Sequence, residues 1–254
     1  MKPEERRAKI LALIEKEGRV EIHELSERFN VSKMTIRRDL KQLGNEGVVR
    51  RVRGGAVNSR GRSFEPALIL RSRQNVEAKK AIALRAEKLI NEGECIAVDV
   101  GSTAVELAKR LKGRQNLTVL TPSLQIASLL SNQNGLRIIV PGGIVRHGEG
   151  SMIGDLAIRA FEKLFVDKLF LGVGGIDPEA GFTEYNWDDT LVKRAMIESA
   201  KQIIILADSS KYDRVAFAAI AGLGDVDIII SNDQPPPKIK EQFVETGVEI
   251  IIAE

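Results

Sequence analysis

The stretch VEIHELSERFNVSKMTIRRDLKQLGNEGVVRRVRGGAV, residues 20–57, decides the fold of the first part of the chain. Its apolar residues predict two short helices, the first over about 22–29 and the second beginning after Ser32, which is a favourable N-cap. Asn30-Val31 forms the turn between them. Two short helices joined by a tight turn are typical of a helix-turn-helix.

The second of these helices has a polar and basic outer face. Ile36, Leu40 and Leu43 repeat at the spacing of a buried stripe, so the residues between them point outward. Such a helix fits the major groove of DNA, where Arg reads guanine and Ser or Thr contacts bases or phosphates. The residues that we expect to face DNA from this helix are Ser32, Lys33, Thr35, Arg37 and Arg38.

A basic hairpin follows, predicted over residues 48–57 from the valines of VVRRVRGGAV. Arg50, Arg51 and Arg53 would decorate it, which is the arrangement of the wing in a winged helix, placed to touch the DNA backbone or minor groove. The alternative is a small helical bundle with a solvated basic face. The sequence also predicts a helix over 3–17, ended by Gly18, which fits both the winged helix and the helical bundle.

The charge is unevenly divided along the 254 residues. Residues 1–73 hold 18 Lys and Arg against 10 Asp and Glu, whereas residues 74–254 hold 20 against 25. A compact basic segment suits a polyanion, because contacts to phosphates release counterions. The two parts therefore suggest different partners.

Residues 58–75 contain turn formers and four arginines, and we interpret them as a linker. From residue 76 the pattern alternates helices with short apolar strands. Runs of Ile, Leu and Val without polar alternation predict strands buried on both faces of a mainly parallel sheet. The sequence thus predicts a winged helix-turn-helix over 1–57 and a Rossmann-like open α/β domain over 76–254. The predicted helices are 76–91, 103–112, 123–131, 155–164, 188–200 and 236–246, and the predicted strands are 94–101, 117–121, 137–143, 167–176, 202–208, 227–231 and 248–253.

Five of the predicted strands end in residues that suit a ligand. In open α/β sheets the ligand lies beyond the carboxyl ends of the strands. Glycines allow close approach of the backbone, and hydroxyls beside a helix N-terminus make an anion cradle. Each loop alone could be ordinary, but together they favour a site for a small, polyhydroxylated, anionic ligand. The candidates at these ends are Asp99, Gly101, Ser102, Thr103, Thr121, Gly142, Gly143, Gly174, Gly175, Asp208 and Lys211.

The chain resembles DeoR-type bacterial transcriptional regulators over nearly its whole length. The N-terminal motifs most specific to that family are Val31-Ser32, Thr35-Ile36-Arg37-Arg38-Asp39-Leu40 and Arg53-Gly54-Gly55-Ala56. In the C-terminal part the matching motifs include Asp99-x-Gly101-Ser102-Thr103, Gly142-Gly143, Gly172-x-Gly174-Gly175-Ile176 and Asp208-Ser209-Ser210-Lys211.

This resemblance implies an effector domain with a fold related to ribose-5-phosphate isomerase that binds phosphorylated sugars or related metabolites. It implies that Gly101, Ser102 and Thr103 hold the phosphate. It also implies contacts to sugar hydroxyls or the carbonyl end from Asp99, Glu184, Lys193, Asp208 and Lys211. Asp39 is expected to orient a neighbouring arginine or to pair within its own domain rather than to contact bases.

Other chemistries are less well supported by the sequence. A sugar-phosphate isomerase would need a carboxylate base and a group that polarises a carbonyl, which Asp99, Asp208, Glu184 and the lysines could supply. A fused DNA-binding domain makes sensing the simpler use of the same residues. One cysteine and two histidines without metal-ligand spacing suggest no metal or other cofactor.

We therefore expect a cytoplasmic transcriptional regulator, most simply a repressor of carbohydrate metabolism genes. Its expected partners are a double-stranded DNA operator and a phosphorylated sugar effector. We expect a homo-oligomer, a dimer or tetramer, because one recognition helix touches few bases and repeated half-sites add specificity. No apolar run approaches the length of a membrane span, so no membrane contact is expected.

Overall fold

The chain forms two compact units, Met1–Pro66 and Ala67–Glu254. A computed structural model describes residues 2–45, 49–57 and 61–254. Val48, the first residue of the predicted hairpin, and residues 58–60, the first of the predicted linker, lie outside the described residues. The boundary between the units falls inside the segment 58–75.

The first unit contains the three predicted helices and a small antiparallel sheet in the order β1-β3-β2. Its elements are α1 Pro3–Glu17, β1 Arg19–Glu21, α2 Ile22–Arg28, α3 Lys33–Asn45, β2 Arg50–Val52 and β3 Gly55–Val57. The hairpin β2-β3 was predicted, whereas β1 was not. α3 ends at Asn45, one residue after Gly44.

The packing of this unit follows from a few residues. Gly18 ends α1 in the left-handed conformation, with φ of 73°, and donates its N–H to the Ile14 carbonyl at 2.9 Å. Gly55 brings β3 close to β1. A Cβ atom at this position would lie 2.0 Å from the Val20 carbonyl oxygen, so no larger residue fits. The buried core consists mainly of Ile10, Ile14, Leu25, Ile36, Leu40 and Leu43.

The second unit is built on a seven-stranded parallel sheet in the order β15-β14-β12-β9-β4-β5-β6. These strands are β4 Cys95–Val98, β5 Leu117–Leu120, β6 Leu136–Ile139, β9 Val166–Gly172, β12 Ala200–Leu206, β14 Ile228–Ser231 and β15 Glu249–Ile252. The accompanying helices are α4 Leu68–Arg71, α5 Val76–Glu87, α6 Ser102–Arg110, α7 Leu124–Leu130, α8 Asp155–Glu162, α9 Trp187–Ser199 and α10 Pro237–Thr246.

Side chains of the central strands are buried on both faces of this sheet. In β9, Leu169 and Leu171 join the core on one face, while Phe170 joins the core on the other. In β12, Ile203 and Ile205 are similarly separated from Ile204. This two-sided burial confirms the prediction of a parallel sheet covered by helices, and explains why its strands are continuously apolar.

Short antiparallel elements add to the parallel sheet. β10 Gly175–Asp177, β11 Gly181–Glu184 and β13 Ala218–Ala221 form a second sheet, and β7 Ile144–Val145 pairs with β8 Met152–Ile153. The sequence did not predict these strands, and the strand predicted over 167–176 is divided into β9 and β10. Among the described residues, no helix combines the length and apolarity that crossing a membrane requires.

Candidate DNA-binding and effector sites

The outer face of α3 carries the predicted DNA-facing residues. Ser32, Lys33, Arg37 and Arg38 are exposed, while Thr35 is half-buried rather than fully outward. The Ser32 hydroxyl accepts the Thr35 backbone N–H at 3.1 Å and lies 3.0 Å from the Thr35 hydroxyl. Ser32 is therefore the N-cap that the sequence predicted, and its hydroxyl fixes the start of the helix.

Asp39 lies on the buried face of α3 and fixes this helix against α1. Arg6 of α1 donates from Nε to Asp39 Oδ2 at 2.6 Å and from Nη2 to Oδ1 at 3.3 Å. Both side chains are buried. Asp39 thus pairs within its own unit, one of the two roles expected for it. The pair fixes α3 against α1 while the basic face of α3 points to solvent.

The hairpin β2-β3 presents further arginines beside this helix. Arg51 and Arg53 are exposed, and Arg50 lies in β2. Gly54 makes the turn with φ of 88°, and its carbonyl accepts the Ile22 N–H at 2.8 Å. The geometry of the first unit is thus that of a winged helix with a basic recognition helix and a basic wing.

In the second unit, the strand order reverses between β4 and β9. β4, β5 and β6 lie in sequence order on one side of this point, and β9, β12, β14 and β15 lie in sequence order on the other side. Ligands of open α/β sheets bind beyond the carboxyl ends of the strands at such a point. Asp99 follows β4 and Gly172 ends β9, so the candidate effector site lies here.

The N-terminus of α6 is the candidate anion site at the carboxyl ends of the strands. Gly101 precedes the helix with φ of 114°, and α6 receives no side-chain cap from the described residues. Ser123 caps α7 and Asn186 caps α9 through their side chains, whereas α5 and α8, like α6, have no side-chain cap among the residues that the structure describes. The first N–H groups of α6, at Ser102 and Thr103, therefore suit an external anion.

Cationic side chains surround this helix end. A Cβ atom placed on Gly101 would lie 3.9 Å from Arg71 Nη1. Lys79, 5% exposed, donates to the carbonyls of Arg71 and Gln74, the latter at 2.7 Å. The pKa of Lys79 is lowered to about 8, mainly by burial; the charge of Asp208 opposes this shift, and the charges of Lys211 and Arg71 add to it.

Neither Arg71 nor Lys79 was a sequence candidate. Arg71 lay in the predicted linker, and Lys79 lay in a helix without a motif. Arg71 forms a long-range ion pair with Glu149, 78 residues away in sequence. No local sequence pattern could have revealed that pair.

A buried ionic triad lies beneath the site. Lys193 Nζ is 2.7 Å from Asp99 Oδ2, 2.7 Å from Glu184 Oε2 and 2.7 Å from the Gly172 carbonyl oxygen. The Gly172 N–H donates to Asp99 Oδ2 at 3.0 Å. These bonds tie the end of β4 to the end of β9 and to α9. The structure thus brings Asp99, Glu184 and Lys193 together, although Asp99 and Lys193 are 94 residues apart in sequence.

The charges of the triad depend on one another. Burial opposes ionisation of Glu184, yet Lys193 holds the pKa of this carboxyl below its ordinary value. For Asp99 burial outweighs Lys193 and raises the pKa. Burial also opposes the charge on Lys193, but the two carboxylates raise its pKa. A lysine held between two carboxylates is poorly placed to polarise a substrate carbonyl.

Asp208 organises the neighbouring end of β12. Its Oδ1 accepts the Asn75 side-chain amide at 2.9 Å and the Ser210 N–H at 3.1 Å. Burial opposes its ionisation, but Lys211 and the Ser210 hydroxyl lower the pKa of Asp208. Lys211 lies 6.0 Å from the centre of the Tyr185 ring. Asp208 and Lys211 are thus brought together with Lys79.

The remaining candidates have evident packing roles in their loops. A Cβ atom on Gly143 would lie 2.4 Å from the Ile153 backbone. A Cβ atom on Gly174 would lie 2.9 Å from the Tyr185 ring, and one on Gly175 would lie 2.2 Å from the Arg214 backbone. Gly142 has φ of 80° and open space around it. Thr121 is fully buried, and its hydroxyl accepts the Ser123 N–H at 3.1 Å. Their contact with a ligand stays a prediction.

Comparison with known families decides the affiliation. A family described as the DeoR C terminal sensor domain matches residues 74–233, and the DeoR-like helix-turn-helix domain matches residues 6–60. The chain belongs to the DeoR family. The resemblance stated from its motifs is confirmed.

Individual DeoR-family relatives are similar over nearly the full length. The putative aga operon transcriptional repressor of Escherichia coli O157:H7 is 33% identical over 98% of this chain and 93% of its own. The uncharacterized HTH-type transcriptional regulator FruR of Bacillus subtilis is 36% identical over 90% of each. The glycerol-3-phosphate regulon repressor of Escherichia coli K12 is 29% identical over 98% of this chain and 99% of its own.

These names are those of transcriptional regulators, so the chain is a DNA-binding regulator of the DeoR family and the isomerase alternative is not supported. Among solved structures, a ribose 5-phosphate isomerase from Methanocaldococcus jannaschii has a TM-score of 0.42 at 18% identity, over 55% of this chain and 55% of that chain.

Proposed function

We propose that this DeoR-family regulator represses carbohydrate metabolism genes and is controlled by a phosphorylated sugar or a related metabolite. The observation that carries the proposal is the positive charge of Arg71, which lies beside Gly101 at an end of α6 that no described side chain caps, together with that of Lys79 and Lys211, which act on one another. Relatives named as repressors of the aga operon and of the glycerol-3-phosphate regulon support the sign and the class of genes.

The phosphate end of the effector would lie at the start of α6. The N–H groups of Ser102 and Thr103 and their hydroxyls would donate to phosphate oxygens, and Gly101 allows close approach of the backbone. Arg71 would supply a bidentate donor, which suits phosphate geometry. The pKa of Lys79 is lowered mainly by burial and in smaller part by the charges of Lys211 and Arg71, and a nearby phosphate dianion would favour its charged form.

The sugar end would extend toward Asp208 and Lys211, beyond β12. Asp208 stays ionised there and can accept from hydroxyls, while Lys211 can donate. Because Asp99, Glu184 and Lys193 are buried and paired with one another, we assign them to the floor of the site, where they fix the ends of β4 and β9.

In the first unit, α3 would enter the major groove and the wing would touch the DNA backbone. The exposed Arg37 and Arg38 would reach bases or phosphates, and Arg51 and Arg53 would contact phosphates. Residues 1–57 would act as the reader and 76–254 as the sensor, joined by 58–75. We expect binding as a homo-oligomer, because paired half-sites multiply specificity.

A panel of phosphorylated sugars in a thermal-shift assay tests the proposal. A ligand that binds only the native state stabilises it by about 2.7 kcal/mol at a concentration a hundred times its Kd. One phosphorylated sugar should raise the Tm, and its unphosphorylated form should not. The double variant Ser102→Val, Thr103→Val should lose the response but still bind DNA.

Thr118→Val in β5 is a matched control, because it removes a half-buried hydroxyl on the same sheet away from α6. It should respond like the unmodified protein. If no phosphorylated compound shifts the Tm, or if the double variant responds fully, the proposed site is wrong.

A further inference from the structure

The loop between β7 and β8 is fastened to the rest of the second unit by two ion pairs. Arg146 Nη2 is 2.7 Å from Asp189 Oδ2 of α9. Glu149 pairs with Arg71, which ends α4. Glu149 is only 6% exposed, so its carboxylate lies inside the protein rather than at a flexible surface.

Arg71 stands between this carboxylate and the start of α6. One guanidinium nitrogen, Nη2, donates to Glu149, and the other, Nη1, lies 3.9 Å from a Cβ atom placed on Gly101. The charge of Arg71 also lowers the pKa of Glu184 in the floor of the site. The guanidinium therefore lies beside the candidate anion site, while one of its nitrogens already donates to the Glu149 carboxylate.

The backbone of Arg71 is held independently of its side chain. Lys79 Nζ donates to the Arg71 carbonyl oxygen, and it also donates to the Gln74 carbonyl oxygen at 2.7 Å. The Arg71 side chain can therefore exchange partners without loss of the turn that follows α4.

We propose that Glu149 is a built-in counter-ion that competes with the anionic effector for Arg71 and sets the effector concentration to which the protein responds. The inference rests on the proposed effector site. A phosphate at the start of α6 would share one guanidinium with the Glu149 carboxylate, and two anions on one cation repel each other. The effector must therefore overcome or displace Glu149.

Removal of the Glu149 charge should tighten anion binding, which a merely structural role of this residue would not do. We expect Glu149→Gln to lower the inorganic phosphate concentration at half-saturation by at least fivefold, within the 5–150-fold range of typical coupling. Glu149→Ala, a second neutral variant, should show the same gain. Glu149→Asp, which keeps the charge, should stay within about twofold of the unmodified protein, well below that coupling range.

Glu94→Gln is the matched control. Glu94 pairs with Lys168 in an ion pair whose side chains are also largely shielded from solvent, but it precedes β4 and so lies at the amino ends of the strands, opposite the proposed site. It should leave phosphate binding unchanged. The assay is the phosphate-dependent rise in Tm of the full chain, with circular dichroism to verify folding of each variant.

The outcomes separate the two proposals. If the unmodified protein responds to phosphate and the neutral Glu149 variants respond equally or more weakly, the counter-ion role is wrong and the effector site stands. If neither the unmodified protein nor any variant responds to phosphate, the anion site is wrong and the counter-ion role falls with it.

Discussion

Substitution of Lys193 by methionine should strongly destabilise the second unit. Lys193 is 3% exposed and lies 2.7 Å from both Asp99 Oδ2 and Glu184 Oε2. Methionine fills a similar volume but leaves two buried carboxylates without their cation. Removal of one partner of a buried ion pair costs about 3–5 kcal/mol.

The expected change in melting temperature follows from the size of the unit, residues 67–254. For domains of 150–250 residues, 1 kcal/mol shifts Tm by about 2–4 °C, so we expect a loss of roughly 6–20 °C. Differential scanning calorimetry and urea unfolding of the full chain at pH 7 measure it. Lys109→Met is the control, because the Lys109–Glu106 pair is exposed at the lysine and should contribute less than about 0.5 kcal/mol.

A compensating variant tests the electrostatic reason. Asp99→Asn and Glu184→Gln, combined with Lys193→Met, remove all three charges and should restore a large part of the lost stability. A loss below about 1 kcal/mol for Lys193→Met alone would refute the argument, because the carboxylates would then not depend on the lysine. Failure of the triple variant to recover would show that packing rather than charge dominates.

Three further predictions concern the first unit and the proposed anion site. Arg38→Ala should weaken operator binding in a fluorescence-anisotropy titration by about 1–3 kcal/mol without lowering the Tm, and unchanged affinity would contradict a DNA-facing role. Gly55→Ala should destabilise the first unit by more than about 1 kcal/mol, because its Cβ would meet the Val20 carbonyl oxygen at 2.0 Å; unchanged unfolding would exclude that clash. In the protein without ligand, the pKa of Lys79 is lowered to about 8, so a bound phosphate should raise this pKa and cause proton uptake near pH 8. Calorimetry in buffers of different ionisation enthalpy should detect the uptake, and Lys79→Met should abolish it.

The regular elements of both units could be predicted because their signals are local. α1 spans the predicted residues 3–17, and the continuous apolar runs of β9 and β12 indicated strands buried on both faces. The antiparallel strands were missed for the opposite reason. β10, β11 and β13 are only three or four residues long and contain one β-branched residue each, so none is long enough to show the alternation that predicts a strand.

The site was predictable only in part. Residues that directly follow a strand, such as Asp99 and Asp208, could be placed at the sheet edge from the pattern alone. Arg71, Lys79 and Glu149 could not, because their positions depend on packing between segments far apart in sequence. The pairing of Asp99 with Lys193 was likewise invisible, since a strand end and a helix interior meet only in the folded sheet.

Selection from a random pool of DNA duplexes by the full chain, followed by titration with phosphorylated sugars, tests the central claim most directly. We expect that one sequence pattern is enriched, that binding weakens steeply with salt, and that one phosphorylated sugar releases the protein while its unphosphorylated form does not. If no duplex is preferred, or if no phosphorylated sugar alters the binding of the preferred one, the account is contradicted.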